Sequence, residues 1–173
     1  MDSCLVRVDL SGSVTGVMRD TRDRLWISSG GSFTGVRWLD QTGWHRLTGD
    51  ALLDRSYIHR VATDSSGGVW FLGIAATAAP GRPPPAEGPG AFRLASDGRI
   101  TRWGVAEGLK SGRVYAFAEG PDGAFWFGTL RGLSRFFRGQ WRHWTRAEGL
   151  LADKVFSAAV DARYKILPDF STG

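Results

Sequence analysis

The sequence contains little cysteine, methionine and histidine, and it has no long apolar run. Cys4 is the one cysteine among 173 residues, which excludes a disulfide scaffold and a zinc site built from cysteines. The three histidines, His45, His59 and His143, do not share a spacing typical of metal ligands. No stretch approaches the roughly 20 apolar residues of a membrane helix, and the first residues lack a signal-peptide core. We therefore expect no metal, no cofactor and no membrane segment.

Sequence motifs for nucleotide binding and nucleophilic catalysis are also missing, since no P-loop, G-x-S-x-G or G-x-G-x-x-G pattern occurs. What the chain has instead is 24 glycines, 8 tryptophans and 10 phenylalanines. Frequent glycines and aromatic residues favour short strands and turns and exclude a helical bundle. The apolar share of 42% and the charged share of 23% are those of an ordinary globular protein.

Arginine supplies most of the positive charge, because only three of the 22 basic residues are lysines and the net charge is +5. An excess of arginine suits an anionic partner such as a nucleic acid or an acidic polysaccharide. However, the arginines are scattered from Arg7 to Arg163, with acidic residues among them and without a basic run. This scatter favours solvated strand faces, and a nucleic-acid partner is not predicted.

An internal repeat is the strongest signal in the sequence. Three segments align without gaps over 13 positions: Val14–Trp26, Ile58–Trp70 and Val114–Trp126. Each opens with a β-branched residue, passes through a turn rich in aspartate or glycine and ends on a tryptophan between two apolar residues. The turn residues predict a β-hairpin, and three consecutive apolar residues require a strand that is covered on both faces.

A second hairpin follows each tryptophan, so each repeat provides four short strands. The opening residues Val14, Ile58, Val114 and Val155 are spaced by 44, 56 and 41 residues. Four antiparallel strands in such a period are typical of a β-propeller blade. We predict an all-β fold, a partial β-propeller with about three four-stranded antiparallel blades and the start of a fourth. A β-sandwich is the alternative.

This reading predicts one incomplete propeller domain over residues 1–173. Its predicted units are repeats 14–57, 58–113 and 114–154 and a partial repeat 155–167. The second unit is long because it contains a Pro/Gly-rich insert at 75–90, for which we expect a polyproline-like loop, with docking of a partner through its prolines left open. The residues expected to hold the repeat together are three tryptophans and three turn glycines: Trp26, Trp70, Trp126, Gly67, Gly123 and Gly132.

One cluster of arginines and aromatic residues follows the third tryptophan. The candidate residues for binding an anion or another ligand are Arg131, Arg135, Arg142, Arg146 and Trp144. Strand alternation puts Arg142 and Trp144 on one face, and Trp141 and His143 on the other. Arginine beside tryptophan suits a planar anion. The alternative is an outer blade strand whose arginines lie over aromatic rings in solvent.

The third unit resembles the two-component regulator propeller repeat. The residues that carry the resemblance are Val114, Asp122-Gly123, Trp126, Gly128-Thr129, Gly132-Leu133 and Glu148-Gly149-Leu150. The second unit keeps Trp70 and Glu107-Gly108-Leu109 but lacks the Gly-Thr pair. The resemblance implies an extracytoplasmic sensor region of a bacterial signalling protein, which senses a ligand or docks a protein and is not an enzyme.

A weaker similarity links the segments PDGAFWFG and SDGRITRW to the streptogramin lyases. That similarity implies a propeller enzyme that uses a histidine and a divalent metal, yet no histidine here matches the expected acidic context. A non-enzymatic module is therefore favoured, with a lyase-like enzyme as the alternative. The family resemblance implies a periplasmic or extracytoplasmic location, whereas the chain shows no signal peptide, so the location is left open.

The two ends of the chain predict an unfinished ring. Leu5–Asp9 reads as the outer strand of a preceding blade, and Leu167, followed by Pro168, takes the place of the tryptophan in the fourth unit. The expected partners are further blades, from a longer parent chain or from other copies, and an unknown small ligand or protein. We favour a fragment, and a discrete closed oligomer of this chain alone would contradict that expectation.

Overall fold

A computed structural model of the protein describes residues 13–160 and 166–169. The first sheet contains β1 (Gly16–Arg19), β2 (Leu25–Ser28), β3 (Val36–Asp40) and β4 (Gly43–Arg46). The second contains β5 (Ser56–Thr63), β6 (Val69–Ala76), β7 (Ala91–Leu94) and β8 (Ile100–Trp103). The third contains β9 (Val114–Glu119), β10 (Phe125–Thr129), β11 (Gly132–Phe137) and β12 (Gln140–Trp144), and β13 (Ser157–Val160) pairs with β14 (Ile166–Asp169).

Two short 3-10 turns, Leu53–Arg55 and Arg146–Glu148, are the helical elements of the described residues. None of the helices in this part of the chain has the length and apolar character needed to cross a membrane. Within each four-stranded sheet the strands follow one another in chain order and pair antiparallel. The first strands of consecutive sheets, β1, β5, β9 and β13, lie next to one another. The predicted partial propeller with three blades and the beginning of a fourth is confirmed.

Successive sheets pack face to face through their tryptophans. Trp26 of the first sheet contacts Phe71 of the second, with ring centroids 5.2 Å apart. Trp70 of the second sheet stacks on Phe117 of the third at 4.8 Å. Trp126 packs in a cluster with residues of the chain that leads into β13. These tryptophans are exposed by 0%, 0% and 7%, so each one fills the space between its own sheet and the next.

The turn before each tryptophan requires one residue in the left-handed region. Gly67 and Gly123 occupy it with φ of 80° and 77°, and Asp23 takes the equivalent place in the first sheet with φ of 64°. Glycine adopts this conformation without a steric penalty, and aspartate tolerates it better than most residues. The shared turn geometry explains why the three segments align without gaps.

The Gly-Thr pair of the third sheet joins it to the start of the fourth. A Cβ on Gly128 would come 2.7 Å from the carbonyl oxygen of Val155, so only glycine allows this approach. The backbone N–H of Val155 then donates to the carbonyl oxygen of Thr129 at 3.0 Å. The Thr129 hydroxyl donates to the carbonyl oxygen of Gly132 at 2.8 Å and closes the tight turn between β10 and β11.

The beginning of the fourth sheet keeps the register of the others. Leu167 pairs with Ala159, as Trp126 pairs with Ala118 in the third sheet. Leu167 therefore occupies the register position of the repeat tryptophan. The strand expected at Leu5–Asp9 lies outside the described residues.

The Pro/Gly-rich insert occupies residues 77–90, because β6 continues through Ala75 and Ala76. The insert is held at both ends by backbone hydrogen bonds. The Thr77 N–H donates to the carbonyl oxygen of Arg55, and the Gly90 N–H donates to that of Gly112, both at 2.8 Å. The insert thus lies across the second sheet towards the third.

Candidate ligand site at the innermost strands

The arginines that the sequence groups together lie in separate places and have different partners. Arg131 lies in the turn between β10 and β11 and forms an exposed ion pair with Glu87 of the insert, with an N–O distance of 3.0 Å. Arg135 on β11 donates to a carboxylate oxygen of Asp122 at 2.5 Å and lies over the Trp126 ring. Each of these two guanidinium groups therefore already has a carboxylate partner.

Arg142 and Trp144 lie on the same face of β12, with the guanidinium carbon 4.8 Å from the ring centroid. Trp144 stacks on Trp126 at 5.3 Å, so this face is the one that points towards β13. Arg146 begins the 3-10 turn after β12, and its backbone N–H donates to Asp153. Arg135 lies opposite Arg142 in the sheet register, so the structure brings Arg135, Arg142 and Trp144 to one face. Arg131 belongs to a different surface.

The opposite face of β12 carries Trp141 and His143, whose rings stack 6.0 Å apart. The Nδ1 atom of His143 is 3.0 Å from the hydroxyl of Ser134, which is completely buried. Burial lowers the pKa of His143, and the nearby Lys110 charge lowers it further. The serine and histidine form a packed polar contact between β11 and β12.

Sequence reasoning missed a row of side chains on the innermost strands. The row takes the second residue of each repeat: Thr15, His59, Tyr115 and Phe156. The rings of His59 and Tyr115 meet edge to face at 5.6 Å, and those of Tyr115 and Phe156 meet edge to face at 4.8 Å. The three rings are half-buried, and each comes from a different repeat. The repeat alignment could have revealed the row, because these residues are equivalent in position although they differ in type.

A cleft of about 510 Å³ lies between β1 and β5 beside this row. Residues 15–18 and 59–61 line it, so it holds a hydroxyl, a thioether, an imidazole and a guanidinium. No acidic residue is among these lining residues. The volume lies within the range of small-molecule sites, and the wall of the cleft is predominantly polar.

The chemistry of the cleft depends on His59 and Arg60. Burial lowers the pKa of His59, and the positive charge of Arg60 lowers it further. At neutral pH the imidazole is therefore uncharged, with one N–H donor and one acceptor nitrogen. Arg60 is exposed, and the salt bridges found within residues 13–160 involve other arginines. Within the same range, no group of three or more His, Cys, Asp and Glu side chains is arranged to hold a metal ion.

Residues 108–131 match the family model of the two-component regulator propeller. The matched segment covers β9, β10 and the turn that follows, where the sequence resemblance is also strongest. The predicted resemblance is confirmed there. No curated protein matches the chain.

Solved structures show the same fold at low sequence identity. The extracellular domain of the one-component system BT4673 from B. thetaiotaomicron has a TM-score of 0.67 and 12% identity, over 90% of this chain and 20% of that domain. Virginiamycin B lyase from Staphylococcus aureus has a TM-score of 0.61 and 15% identity, over 94% of this chain and 50% of the lyase. The gluconolactonase XC5397 from Xanthomonas campestris has a TM-score of 0.63 and 17% identity, over 92% and 57%.

These likenesses establish the fold. The chain has a β-propeller fold, and it spans about a fifth of the BT4673 extracellular domain and about half of the lyase.

Proposed function

We propose that the chain is a non-enzymatic, sensor-type propeller module that binds a small ligand in the cleft beside the innermost strands. The observation that carries this proposal is the row of His59, Tyr115 and Phe156 rings, which continues a cleft of about 510 Å³. Rings that meet edge to face present both faces and edges to a ligand, and the His59 imidazole adds a hydrogen-bond donor and acceptor. Such a combination can bind and orient a small molecule.

The fold comparison supports the proposal, since a similar structure is named as the extracellular domain of a one-component system. By the same likeness we propose an extracytoplasmic location. A lyase-like enzyme is the second candidate, because the similar structures include a lyase and His59 lies on an innermost strand. The two functions differ in whether a bound compound is chemically changed.

The test is a screen of small ring compounds by chemical-shift perturbation. We expect binders to perturb Tyr115, and we expect the Tyr115→Leu variant to lose them, because leucine keeps the apolar volume but not the ring. Phe137→Leu is the matched control, since Phe137 is a half-buried ring at the far end of β11 in the same sheet. Compounds recovered unchanged support a binding module, whereas conversion that disappears in His59→Ala would support the enzyme. Binding that Tyr115→Leu leaves intact would refute this site.

The arginine cluster stays a separate prediction for anion binding. A double variant, Arg142→Ala with Arg146→Ala, is expected to abolish binding of an anion on that face. Unchanged affinity in a titration would remove this site and leave the cleft untouched, since Arg142 lies on the outer strand β12.

We also propose that further blades, from a longer chain or from other copies, are partners of this module. The support is the contrast between the pair β13–β14 and the four strands of each preceding sheet. Light scattering after size exclusion tests the source of these blades. One discrete multiple of the 18.9 kDa protomer would indicate other copies, and a monomer would indicate a longer chain.

A further inference from the structure

The charge distribution along the innermost strands extends the proposed function to a class of ligand. Four stretches of five residues begin one position before the β-branched residue that opens each repeat. They are residues 13–17, 57–61, 113–117 and 154–158. These four stretches contain Arg60, Arg113 and Lys154 and no aspartate or glutamate. The three cations are exposed. Within these four stretches, the innermost strands and the residues just before them carry three cations and no anion.

Arg60 lines the same cleft as its neighbour His59. A guanidinium group binds a carboxylate through two parallel hydrogen bonds, which gives both affinity and orientation. Other arginines of the sheets have carboxylate partners within the protein. Arg93 pairs with Asp64, and Arg135 pairs with Asp122. Among the salt bridges of residues 13–160, none occupies Arg60 in this way.

The rings set the second requirement on the ligand. The edge-to-face row of His59, Tyr115 and Phe156 continues from the cleft across three sheets. A planar or cyclic group can lie against this row while a carboxylate attached to it reaches Arg60. A neutral His59 fits this arrangement, since it adds a hydrogen bond without a second charge.

We propose that the cleft binds a small carboxylate that carries a ring, with Arg60 as the partner of the carboxylate and the His59–Tyr115 pair as the surface for the ring. This inference depends on the proposed function, because it assigns a ligand class to the same cleft. An aromatic acid and a uronic acid share this chemistry. They differ in whether the ring is flat and apolar or hydroxylated.

Binding of a carboxylate should change the titration of His59. Arg60 helps to lower the pKa of His59, so a carboxylate that neutralises Arg60 should raise that pKa. Among the residues that line the cleft and the Tyr115 ring that contacts His59, the other charged or titratable groups are Arg60 and Tyr115, and the charged one is Arg60. By linkage, affinity should then increase as the pH falls through the pKa of His59.

The experiment uses two matched pairs of probes on the whole chain, benzoate with benzamide and glucuronate with glucose. Affinities are measured by titration calorimetry, and the His59 resonances are followed by NMR. We expect an acid to bind at least about tenfold more tightly than its neutral partner and to raise the pKa of His59. The preference for benzoate would identify an aromatic acid, and the preference for glucuronate would identify a uronic acid.

Arg60→Gln should remove the preference for the acid while Arg99→Gln, an exposed arginine just before the outer strand β8, should leave it unchanged. Equal binding of acids and neutral partners, or a preference that survives Arg60→Gln, would overturn the ligand class and leave the proposed function standing. If none of the four probes binds or perturbs His59 and Tyr115, the ligand class is refuted, and the screen of ring compounds decides separately whether the cleft is the binding site. Unchanged unfolding of Arg60→Gln in urea separates a lost contact from a misfolded variant.

Discussion

The second and third sheets each place a carboxylate at the turn before the repeat tryptophan, but different residues supply it. In the second, Asp64 lies in the turn with its side chain only 1% exposed, and it accepts hydrogen bonds from Trp70 at 2.8 Å and Arg93 at 2.7 Å. In the third, Gly120 takes the position of Asp64, and the carboxylate comes from Asp122, which is 14% exposed. Asp122 binds Arg135, whereas the indole N–H of Trp126 is not among its partners.

The first sheet uses a third arrangement of the same groups. Asp20 accepts from the Trp26 indole and from Arg24, both at 2.7 Å. Arg24 belongs to the turn itself. The strand position opposite the tryptophan, which Arg93 occupies in the second sheet, is occupied by Trp38 in the first. The comparison teaches that the repeat preserves a carboxylate, a guanidinium and a tryptophan at the turn, while the residues that supply the first two change.

Removing the carboxylate should have the largest effect where it is most buried. We expect Asp64→Asn to lower the free energy of unfolding by about 3 kcal/mol, because it leaves Arg93 without its buried partner. The matched change Asp122→Asn should cost about 1 kcal/mol, since that carboxylate is more exposed and does not hold the indole. Urea denaturation of both variants measures the difference. Equal losses would show that the extra bonds of Asp64 add nothing.

Acid should remove the stability that the Asp64 carboxylate gives to the second sheet. Burial alone would raise the pKa of Asp64, but the hydrogen bonds from Arg93, Ser66, Gly68 and Trp70 outweigh it and lower the pKa from 3.8 to about 2. The resulting stability is fully present above pH 3.8 and is lost as the pH falls through the folded-state pKa. We expect the native protein to lose about 2 kcal/mol more than Asp64→Asn between neutral pH and strong acid. Parallel losses in the two proteins would contradict this assignment.

The hydrogen-bonded group of Asp64, Trp70 and Arg93 in the second sheet should be transferable to the third sheet. Ala124 stands where the second sheet has Gly68, and a Cβ on Gly68 would come 2.5 Å from Asp64 and from Arg93. A graft therefore needs Ala124→Gly as well as Gly120→Asp and Asp122→Ser. We expect the triple variant to be more stable than the double variant without Gly120→Asp by about 1.5 kcal/mol, because the new carboxylate binds Arg135 and the Trp126 indole.

The urea midpoints of the triple and double variants measure this gain. If adding the aspartate to the double variant gives no increase, the third sheet does not share the geometry of the second at this turn.

The smallest effect is expected for the ion pair at the surface. Glu87→Gln removes the partner of Arg131, but both side chains are largely solvated, with 44% and 60% exposed. We expect a change below about 0.5 kcal/mol in the free energy of unfolding. A larger loss would mean that the insert depends on this pair and not on its backbone hydrogen bonds.

The repeat pattern was sufficient to predict the fold, because apolar periodicity and turn residues act locally. Strands β10 to β12 follow the turns that Gly123 and Gly132 mark, and the fourth sheet begins where Val155 aligns with the earlier openings. The repeat alignment marks the ring row as equivalent positions, but the contacts between its rings could not be predicted in this way. The residues of the arginine cluster are close together in the sequence, within one short stretch. The residues of the ring row are about 40 to 60 positions apart, at the repeat spacing of a propeller.

The sequence by itself determined the all-β repeat, the four strands of each unit and the place of Trp26, Trp70 and Trp126, since these follow from residues within one hairpin of each other. Only the tertiary structure decided which charges pair between repeats and which rings meet. Arg131 pairs with Glu87, and the rings of His59, Tyr115 and Phe156 meet, only after separate repeats have packed. Such contacts between units depend on how the sheets are arranged, which no single repeat encodes.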